Sequence, residues 1–352
     1  MSVTMKDILI VRLSAIGDVV MSTAILAGLK EAWPQARFHW LTEDMGGEVL
    51  RGNRDLASVI VLPRKHWKQL IRERHYLTFL SELRASRREV RALGADVAID
   101  AQGLLRSALW TRASGAPMRI GLRSHEGSQI LMTEVIRVDS NPTGRMCNEY
   151  RSLLEHFGLP GSPFSMSLRP TDQARAEALR MIPDGSPAPV FFYPFTTRLQ
   201  KHWFDDRWAQ LASLIVHKLN RRVWILGGPA NEEEANEIAR QSGVAEFIKV
   251  VAGKDSNIEQ KMGLVERASA AVGVDTGLSH MSLGLRTPTV VLFGSTCGYT
   301  DTAPLPGIVL YEKMLCSPCH RHPTCNGDIT CMKRLTVENV FDALEKLLEA
   351  RR

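Results

Sequence analysis

Residues 273–280 read Gly-Val-Asp-Thr-Gly-Leu-Ser-His, directly after the apolar run of residues 270–272 and ahead of a small-residue segment that ends before Pro288. The pattern predicts a buried strand that leads to an acid, Asp275, and a helix that begins near Thr276 and Gly277. A helix start exposes backbone N–H groups that suit a phosphate, and the carboxylate suits a polyol. A plain helix cap, supplied by Asp275 or Thr276, explains the same residues equally well.

A second acid takes an equivalent place near the start of the chain. Residues 8–11 predict a buried strand, Gly17 permits a tight turn, and Asp18 heads an apolar helix that runs to about Lys30. Asp18 is therefore either a helix cap or a general base at the mouth of a parallel sheet. The spacing of the turn departs from G-x-G-x-x-G, which argues against a nicotinamide site.

A third polar loop, residues 196–203, follows the predicted strand at 190–193. Its hydroxyls, Thr196 and Thr197, and its cations, Arg198 and Lys201, can converge on a diphosphate without a metal. Such a loop on its own is usually a solvated surface. Three polar loops, each after a predicted strand, favour one shared kind of site.

Alternating strand-like and helix-like segments predict an α/β protein with parallel sheets. The 352 residues suffice for two domains with substantial cores. Breaks at residues 158–163 and 183–189 lead us to expect an N-terminal domain over 1–165, a second domain over 166–335 and a final helical segment over 336–352. Strands are predicted at residues 8–12, 38–41, 59–62, 97–100, 190–193, 222–226, 247–251, 270–274 and 289–293.

Composition favours a soluble globular protein, because 44% of the residues are hydrophobic and 23% are charged, which are ordinary values. No uninterrupted apolar stretch approaches the roughly 20 residues that span a bilayer. The N-terminal residues show no signal-peptide pattern. We therefore expect a cytoplasmic protein without a transmembrane segment.

Positive charge is concentrated between Arg64 and Arg91. This segment has nine Lys or Arg residues and three Glu residues, so its excess equals the whole chain's net charge of +6. A helix with a solvated cationic face accounts for many of these residues. The remainder suit an anionic partner; no nucleic-acid motif accompanies them, and a phosphorylated lipid at a membrane surface fits better.

Four of the six cysteines are clustered, with the spacing C-x2-C-x5-C-x5-C. They could hold a structural zinc, although the spacing is not that of a common zinc finger. Reduced or redox-labile thiols are the alternative, since stable disulfides are rare in the cytoplasm. The four residues are Cys316, Cys319, Cys325 and Cys331.

The chain resembles the glycosyltransferase family that includes the bacterial lipopolysaccharide heptosyltransferases. The resemblance rests on four segments whose order and intervals match over nearly the whole chain: residues 13–18, 100–107, 196–203 and 273–280. It implies two Rossmann-like domains facing across a cleft, the GT-B glycosyltransferase architecture, with the acceptor bound by the N-terminal domain and the nucleotide-sugar by the second. It also implies that the final helix, residues 336–352, packs back on the N-terminal domain. It also implies inverting transfer of heptose from ADP-heptose to the inner core of lipopolysaccharide, with no cofactor or metal required for catalysis.

The resemblance also implies roles for individual residues. Asp18 would be the catalytic base, Asp275 would hold heptose hydroxyls, and His280 would contact the phosphate or sugar or only pack. An acidic ribose contact would be Glu232 or Glu233. The diphosphate would be bound by Thr196, Thr197, Lys201, Thr276 and Gly277, and the acceptor by Arg64, Lys65, Lys68, Arg72 and Arg119.

The implied partners are an ADP-heptose donor and an acceptor of the lipid A–Kdo type, with no nucleic acid. The implied location is the cytoplasm, peripheral on the cytoplasmic face of the inner membrane. Two alternatives stay open. One is transfer of another nucleotide-linked sugar to a cell-surface glycan, and the other is a non-catalytic protein that binds a nucleotide or anion.

Overall fold

The chain divides into two units in a computed structural model that describes residues 5–124, 126–138, 144–159, 165–254, 257–320 and 322–351. Unit 1 comprises Met1–Ser140 and Cys147–Arg169, and unit 2 comprises Asn141–Met146 and Pro170–Arg352. The boundary expected after residue 165 lies a few residues before this division. Part of the predicted break at 158–163 falls outside the described residues.

Strands and helices alternate in both units. Unit 1 contains β1 (Asp7–Val11), α1 (Ile16–Ser22), α2 (Ala24–Ala32), β2 (Arg37–Glu43), α3 (Asp44–Leu50), β3 (Ser58–Leu62), α4 (Arg64–Arg72), α5 (Tyr76–Ala92), β4 (Val97–Asp100), α6 (Leu105–Ala113), β5 (Met118–Leu122), β6 (Glu134–Ile136) and α7 (Asn148–His156). Unit 2 contains α8 (Asp172–Met181), β7 (Val190–Tyr193), α9 (Asp205–Leu219), β8 (Val223–Leu226), α10 (Glu232–Gln241), β9 (Ile248–Val251), α11 (Ile258–Glu266), β10 (Ala270–Val274), α12 (Gly277–Gly284), β11 (Thr289–Phe293), β12 (Gly307–Tyr311), α13 (Thr330–Lys333) and α14 (Val337–Glu349). Short 3-10 turns cover Ser128–Leu131, Leu199–Lys201 and Ala245–Phe247.

Within the described residues, each unit builds one parallel six-stranded sheet. The strand order is β3-β2-β1-β4-β5-β6 in unit 1 and β12-β11-β10-β7-β8-β9 in unit 2. Both are the doubly wound Rossmann order, so the predicted α/β class with two Rossmann-like domains is confirmed. The order reverses between β1 and β4 and between β7 and β10, and ligands of such sheets bind outside the carboxyl ends of these strands.

The sheet of unit 2 is buried on both faces, which explains why its strands read as continuous apolar runs. Val190 and Phe192 pack in one hydrophobic cluster with Trp208 of α9. Phe191, which points to the opposite face, packs in a second cluster with Leu264 of α11. The two clusters hold the strand ends in fixed positions for the loops that follow them.

The C-terminal helix corrects one expectation. We expected residues 336–352 to pack back on the N-terminal domain, and this is wrong. Helix α14 contacts α9, β10, β11 and β12, and Val340, Phe341 and Leu344 are buried in the cluster of unit 2. The apolar face of α14 thus completes the core beside its own sheet.

Three strands were not predicted: β5, β6 and β12. Arg119 and Gly121 interrupt the apolar run of β5, and β6 has only three residues. The strand β12 follows Pro306 in a stretch with little other regular structure. Their places in the sheets are set by pairing with β4, β5 and β11, which a local pattern does not reveal.

The helix predicted from Asp18 to about Lys30 is two helices. The helix is interrupted at Thr23. There the hydroxyls of Ser22 and Thr23 donate to the carbonyl oxygens of Val19 and Val20, at 2.9 and 2.7 Å respectively. Such bonds compete with the helical hydrogen-bond pattern. Asp18 is the third residue of the first of these helices, and its carboxylate accepts from the backbone N–H of the N-cap residue, Ala15, so it contributes to the cap without being the N-cap residue.

None of the helices in the described part of the chain combines the length and apolar character needed to cross a bilayer.

Candidate functional site

Asp18 lies just beyond the carboxyl end of β1, at the point where the strand order of unit 1 reverses. One carboxylate oxygen, Oδ2, accepts from Arg12 Nη2 at 2.7 Å and from the backbone N–H of Ala15 at 3.2 Å. The side chain is 41% exposed, whereas that of Arg12 is only 11% exposed. The carboxylate is thus fixed through one oxygen and open to an incoming molecule through the other.

Arg12 and Asp18 are each held by one further hydrogen bond. Its Nη1 donates to the carbonyl oxygen of Ala101 at 2.7 Å, and the hydroxyl of Tyr150 donates to the carbonyl oxygen of Asp18 at 3.4 Å. Burial by itself would lower the pKa of the Arg12 guanidinium, but Tyr150 and Asp18 beside it raise that pKa overall. The guanidinium is therefore a permanent positive charge against Asp18.

Two arginines share one carboxylate at the same edge of unit 1. Arg64 Nη1 and Arg106 Nη1 each lie 2.9 Å from an oxygen of Glu43, whose side chain is 11% exposed. Arg106 also donates to Ser14 Oγ at 3.3 Å, in the loop that precedes Asp18. The cluster carries one net positive charge next to the candidate base, which suits an anionic acceptor.

Arg106 and Glu43 were not among the predicted site residues. Arg106 lies in the segment 100–107 on which the resemblance rests, so a signal for it was present. Glu43 ends β2 at the carboxyl edge of the sheet, but nothing local in the sequence pairs it with two arginines.

The other predicted acceptor residues divide into two kinds. Lys65, Lys68 and Arg72 lie exposed on α4. Arg119 instead donates to the carbonyl oxygens of Leu131 and Ala116, at 3.0 and 2.7 Å. In the sheet it lies level with Ala98, nearer the amino ends of the strands, so these contacts favour a structural role for it.

Asp275 organises the polar cluster of unit 2. It follows β10, and its Oδ2 accepts from Lys201 Nζ and from Thr296 Oγ1, both at 2.5 Å. Its Oδ1 lies 3.2 Å from His280 Nε2, and His280 Nδ1 lies 3.0 Å from the hydroxyl of Tyr299. The structure therefore brings the predicted residues Lys201, Asp275 and His280 together.

The carboxylate at the centre of this cluster is ionised. Burial raises the pKa of Asp275, but the hydrogen bond and charge of His280 and the charge of Lys201 lower it well below the usual range overall. The side chains of Asp275 and Lys201 are only 12% and 15% exposed. Lys201 is thus held in one place by a buried ion pair.

The predicted phosphate-binding residues lie close in the chain to one or other member of this ion pair. Thr276 is the N-cap residue of α12, and its side chain makes no capping hydrogen bond to the N–H groups at the helix start. Thr196 and Thr197 lie in the loop after β7, half-buried and exposed respectively. His202 Nε2 lies 2.9 Å from the carbonyl oxygen of Thr196, which fixes the loop that carries Lys201.

Thr296 and Tyr299 complete the cluster and were missed in the sequence. Both lie just after β11, which pairs with β10. Like the other site residues, they therefore follow the carboxyl end of a strand. Glu232 and Glu233, the predicted ribose contacts, open α10 after β8, the strand next to β7.

The clustered cysteines line one cavity of about 280 Å³ in unit 2, together with Gln200 and Ser295. Burial and the neighbouring thiols raise the pKa of Cys319 and Cys331. Among the residues that the structure describes, no group of three or more His, Cys, Asp or Glu side chains is placed to hold a metal ion. As placed, the four thiols are free and form no metal-binding group, which favours the alternative of reduced thiols, and the structural zinc stays a prediction for elemental analysis.

Comparison with known proteins gives a family match across most of the chain. The family model described as glycosyltransferase family 9 (heptosyltransferase) matches residues 83–325. Lipopolysaccharide heptosyltransferase 1 of Pseudomonas aeruginosa is 27% identical to this chain, over 97% of the chain and 98% of its own length.

Solved structures share the fold along the whole chain. A glycosyl transferase family 9 protein from Veillonella parvula superposes with a TM-score of 0.83 at 21% identity, covering 99% of both chains. The Escherichia coli heptosyltransferase WaaC with ADP-2-deoxy-2-fluoro heptose gives a TM-score of 0.73 at 22% identity, covering 97% of this chain and 99% of that one.

Proposed function

Since the chain belongs to glycosyltransferase family 9, the heptosyltransferases, and is therefore a sugar-transferring enzyme, we propose a specific reaction for it. It moves L-glycero-D-manno-heptose from ADP-heptose to the inner core of lipopolysaccharide, with inversion at the anomeric carbon and without a catalytic metal. The observation that carries this proposal is the buried ion pair between Lys201 and Asp275 at the head of α12.

Unit 2 binds the donor in this proposal. The diphosphate lies against Lys201, the hydroxyls of Thr196 and Thr197, and the N–H groups at Thr276 and Gly277. A helix start and a fixed ammonium group both favour negative charge. The second lone pairs of the Asp275 oxygens accept from heptose hydroxyls, and His280, bound to Asp275, keeps that carboxylate oriented.

Asp18 is the base. The acceptor hydroxyl gives its proton to the carboxylate while its oxygen forms a bond to the anomeric carbon. The bond from that carbon to the diphosphate oxygen breaks on the opposite face, and the electron pair leaves with ADP. Because Arg12 and Ala15 both bind Oδ2, Oδ1 is the oxygen that takes the proton.

The developing charge on ADP is neutralised by protein groups. Lys201 and the start of α12 face the leaving group, and preorganised positive charge of this kind stabilises a transition state without reorganisation. These groups do the work that a divalent cation does in many other sugar-nucleotide enzymes. Turnover should therefore be unaffected by EDTA.

Unit 1 binds the acceptor. The carboxylate and phosphate groups of a lipid A–Kdo acceptor would meet Arg64 and Arg106, which share Glu43, and the exposed cations of α4. Arg119 is the weakest of the predicted contacts, given its backbone partners. Such an acceptor is anchored in a membrane, so the enzyme works at the cytoplasmic face of the inner membrane as a peripheral protein.

The decisive experiment supplies ADP-heptose and truncated core acceptors to the purified protein. We expect a product heavier than the acceptor by one heptosyl group, with the anomeric configuration opposite to that of the donor. A product formed only from another nucleotide-linked sugar would replace the donor assignment. ADP binding without transfer or donor hydrolysis would indicate a non-catalytic protein.

A further inference from the structure

Helices α4 and α5 form a helical hairpin, residues 64–92, that is fastened to unit 1 by its inner face. Trp67 packs edge-on against Phe79 with ring centroids 6.0 Å apart, and its Nε1 donates to Glu82 at 2.9 Å. Leu70 and Val90 are buried in the core of unit 1 with Trp67. The hairpin is therefore a fixed part of the fold.

The tip of the hairpin carries four large apolar side chains that the described part of the chain leaves exposed to different extents. Leu77 is 85% exposed, Tyr76 53%, Ile71 45% and Leu80 39%. Ile71 lies near the end of α4, and the other three share the first turns of α5, where residues three and four positions apart lie side by side, so Leu80 neighbours both Tyr76 and Leu77. Grouped apolar exposure of this kind marks an interaction site on a soluble protein.

Cations surround the apolar tip. The exposed basic residues of the hairpin are Lys65, Lys68, Arg72, Arg74, Arg84, Arg87, Arg88 and Arg91. Two of its three acids bind neighbours other than these cations: Glu82 accepts from His66 and Trp67, and Glu73 accepts from Gln69 at 2.9 Å. The positive charge of the hairpin is thus left for an external partner.

We propose that this hairpin docks on an anionic phospholipid bilayer, with Tyr76 and Leu77 inserted at the interface and the arginines on lipid phosphates. Exposed leucine and tyrosine beside arginine is the composition of interfacial membrane anchors. The charge complementarity decides between this partner and a second copy of the chain, since a copy would bring the same positive hairpin. This docking rests on the proposed function, in which the enzyme is a peripheral membrane protein. It identifies the hairpin as the surface that binds the membrane, and it does not depend on which sugar is transferred.

Vesicle sedimentation of the full-length protein tests the apolar part of this surface. We expect binding to vesicles of phosphatidylethanolamine with phosphatidylglycerol, and little binding to phosphatidylcholine vesicles. Leu77→Ser should weaken binding roughly tenfold, because one leucine no longer leaves water. Ile130→Ser is the matched control, since Ile130 is 81% exposed in unit 1 but lies outside the hairpin. Equal binding by the two variants would overturn the proposal.

The cationic part is tested with Arg84→Gln, Arg87→Gln and Arg88→Gln in one variant. Each lost charge should weaken vesicle binding by about fivefold, and raising the salt concentration should abolish the difference from the wild type. All three side chains are exposed, so the melting temperature should stay unchanged. Salt-independent binding would contradict the role of charge.

Two further measurements separate the possible outcomes. Light scattering that shows a dimer converted to monomer by Leu77→Ser would assign the tip to self-association and overturn membrane docking. Transfer to a short, water-soluble acceptor should be the same for the wild type and Leu77→Ser. If no transfer occurs but anionic vesicles still bind, the proposed reaction fails and the docking surface stands.

Discussion

Asp18 combines an exposed carboxylate with a fixed orientation. Its Oδ2 is held by Arg12 and the Ala15 N–H, and 41% of the side chain faces solvent. Because both contacts are made to the same oxygen, the amide oxygen of an asparagine can keep them, but an asparagine cannot take a proton at neutral pH. The residue therefore offers a test of the base that leaves the local structure in place.

Asp18→Asn should lower kcat by about a thousandfold, the size of a general-base contribution. ADP affinity, measured by calorimetry, should stay close to that of the wild type. Asp96→Asn is the matched control, because Asp96 accepts from the N–H groups of Lys6 and Asp7 at the opposite edge of the same sheet. Normal turnover in Asp18→Asn would contradict the assignment of the base.

Lys201→Ala should weaken ADP binding roughly 10- to 100-fold, since a charged hydrogen bond to the diphosphate is lost. It should also slow turnover, because the same ammonium group faces the leaving group. Lys218→Ala provides the comparison: Lys218 is an exposed lysine of unit 2 that lies over the ring of Phe341, 5.3 Å from its centroid. Unchanged ADP affinity in Lys201→Ala would show that the diphosphate lies elsewhere.

The turn from β10 into α12 depends on close packing at Gly273. A Cβ at this position would lie 2.3 Å from Ser279 Oγ and 2.8 Å from a ring carbon of Tyr193. Ser279 Oγ itself donates to the carbonyl oxygen of Val274 at 2.6 Å, so it has little freedom to move. Strand, turn and helix thus behave as one element that sets the position of Asp275.

Gly273→Ala should lower the free energy of unfolding by about 1–3 kcal/mol, as overpacking of a dense core does. It should also weaken ADP binding, because α12 has to shift. Gly298→Ala is the control, since a Cβ there meets nothing within 4 Å. Urea denaturation compares the two variants, and equal stability would show that the turn relaxes freely.

The loop that carries the clustered cysteines contacts the loops of unit 2 that follow β7 and β11. Gln200 Nε2 donates to the carbonyl oxygen of His320 at 3.0 Å, and the N–H of His320 donates to the carbonyl oxygen of Ser295 at 2.8 Å. These residues adjoin Lys201 and Thr296, which both bind Asp275. These hydrogen bonds connect the cysteine loop to the two loops that carry Lys201 and Thr296.

Elemental analysis of the purified protein should find zinc well below one atom per chain. The described side chains offer no group arranged to hold a metal, and all six cysteines are free. A thiol reagent should accordingly titrate six thiols in the denatured, unreduced protein. Zinc near one atom per chain would show that the loop rearranges into a four-thiolate site.

At the scale of the whole molecule, the proposed function assigns different tasks to the two units. Both follow one winding rule, and each presents its polar loops where the strand order reverses. The residues that we propose for donor binding all belong to unit 2, and the proposed base, Asp18, belongs with its neighbouring arginines to unit 1.

Hydrogen exchange should show this division. ADP should slow exchange of the amides in residues 196–201 and 275–280, because a ligand stabilises the state that it binds. Amides of the sheet of unit 1 should change little. AMP, which lacks the second phosphate, should protect the same loops more weakly. Protection confined to unit 1 would contradict the placement of the donor.

The sequence by itself determined the elements whose signals are local. Continuous apolar runs fixed β4, β7, β10 and β11 to the residue. The polar loops after these strands were predictable for the same reason, because a strand that is buried on both faces must end in a turn that carries its first polar side chains.

Only the tertiary structure decided which of these pieces meet. The pairing of Arg64 and Arg106 with Glu43, the contact of Thr296 with Asp275, and the packing of α14 beside its own sheet all join residues far apart in the chain. Such contacts depend on strand order and on which face of a sheet is still free for a helix to pack against. A local pattern of residue types carries neither, since both arise when the whole chain buries its apolar surface at once.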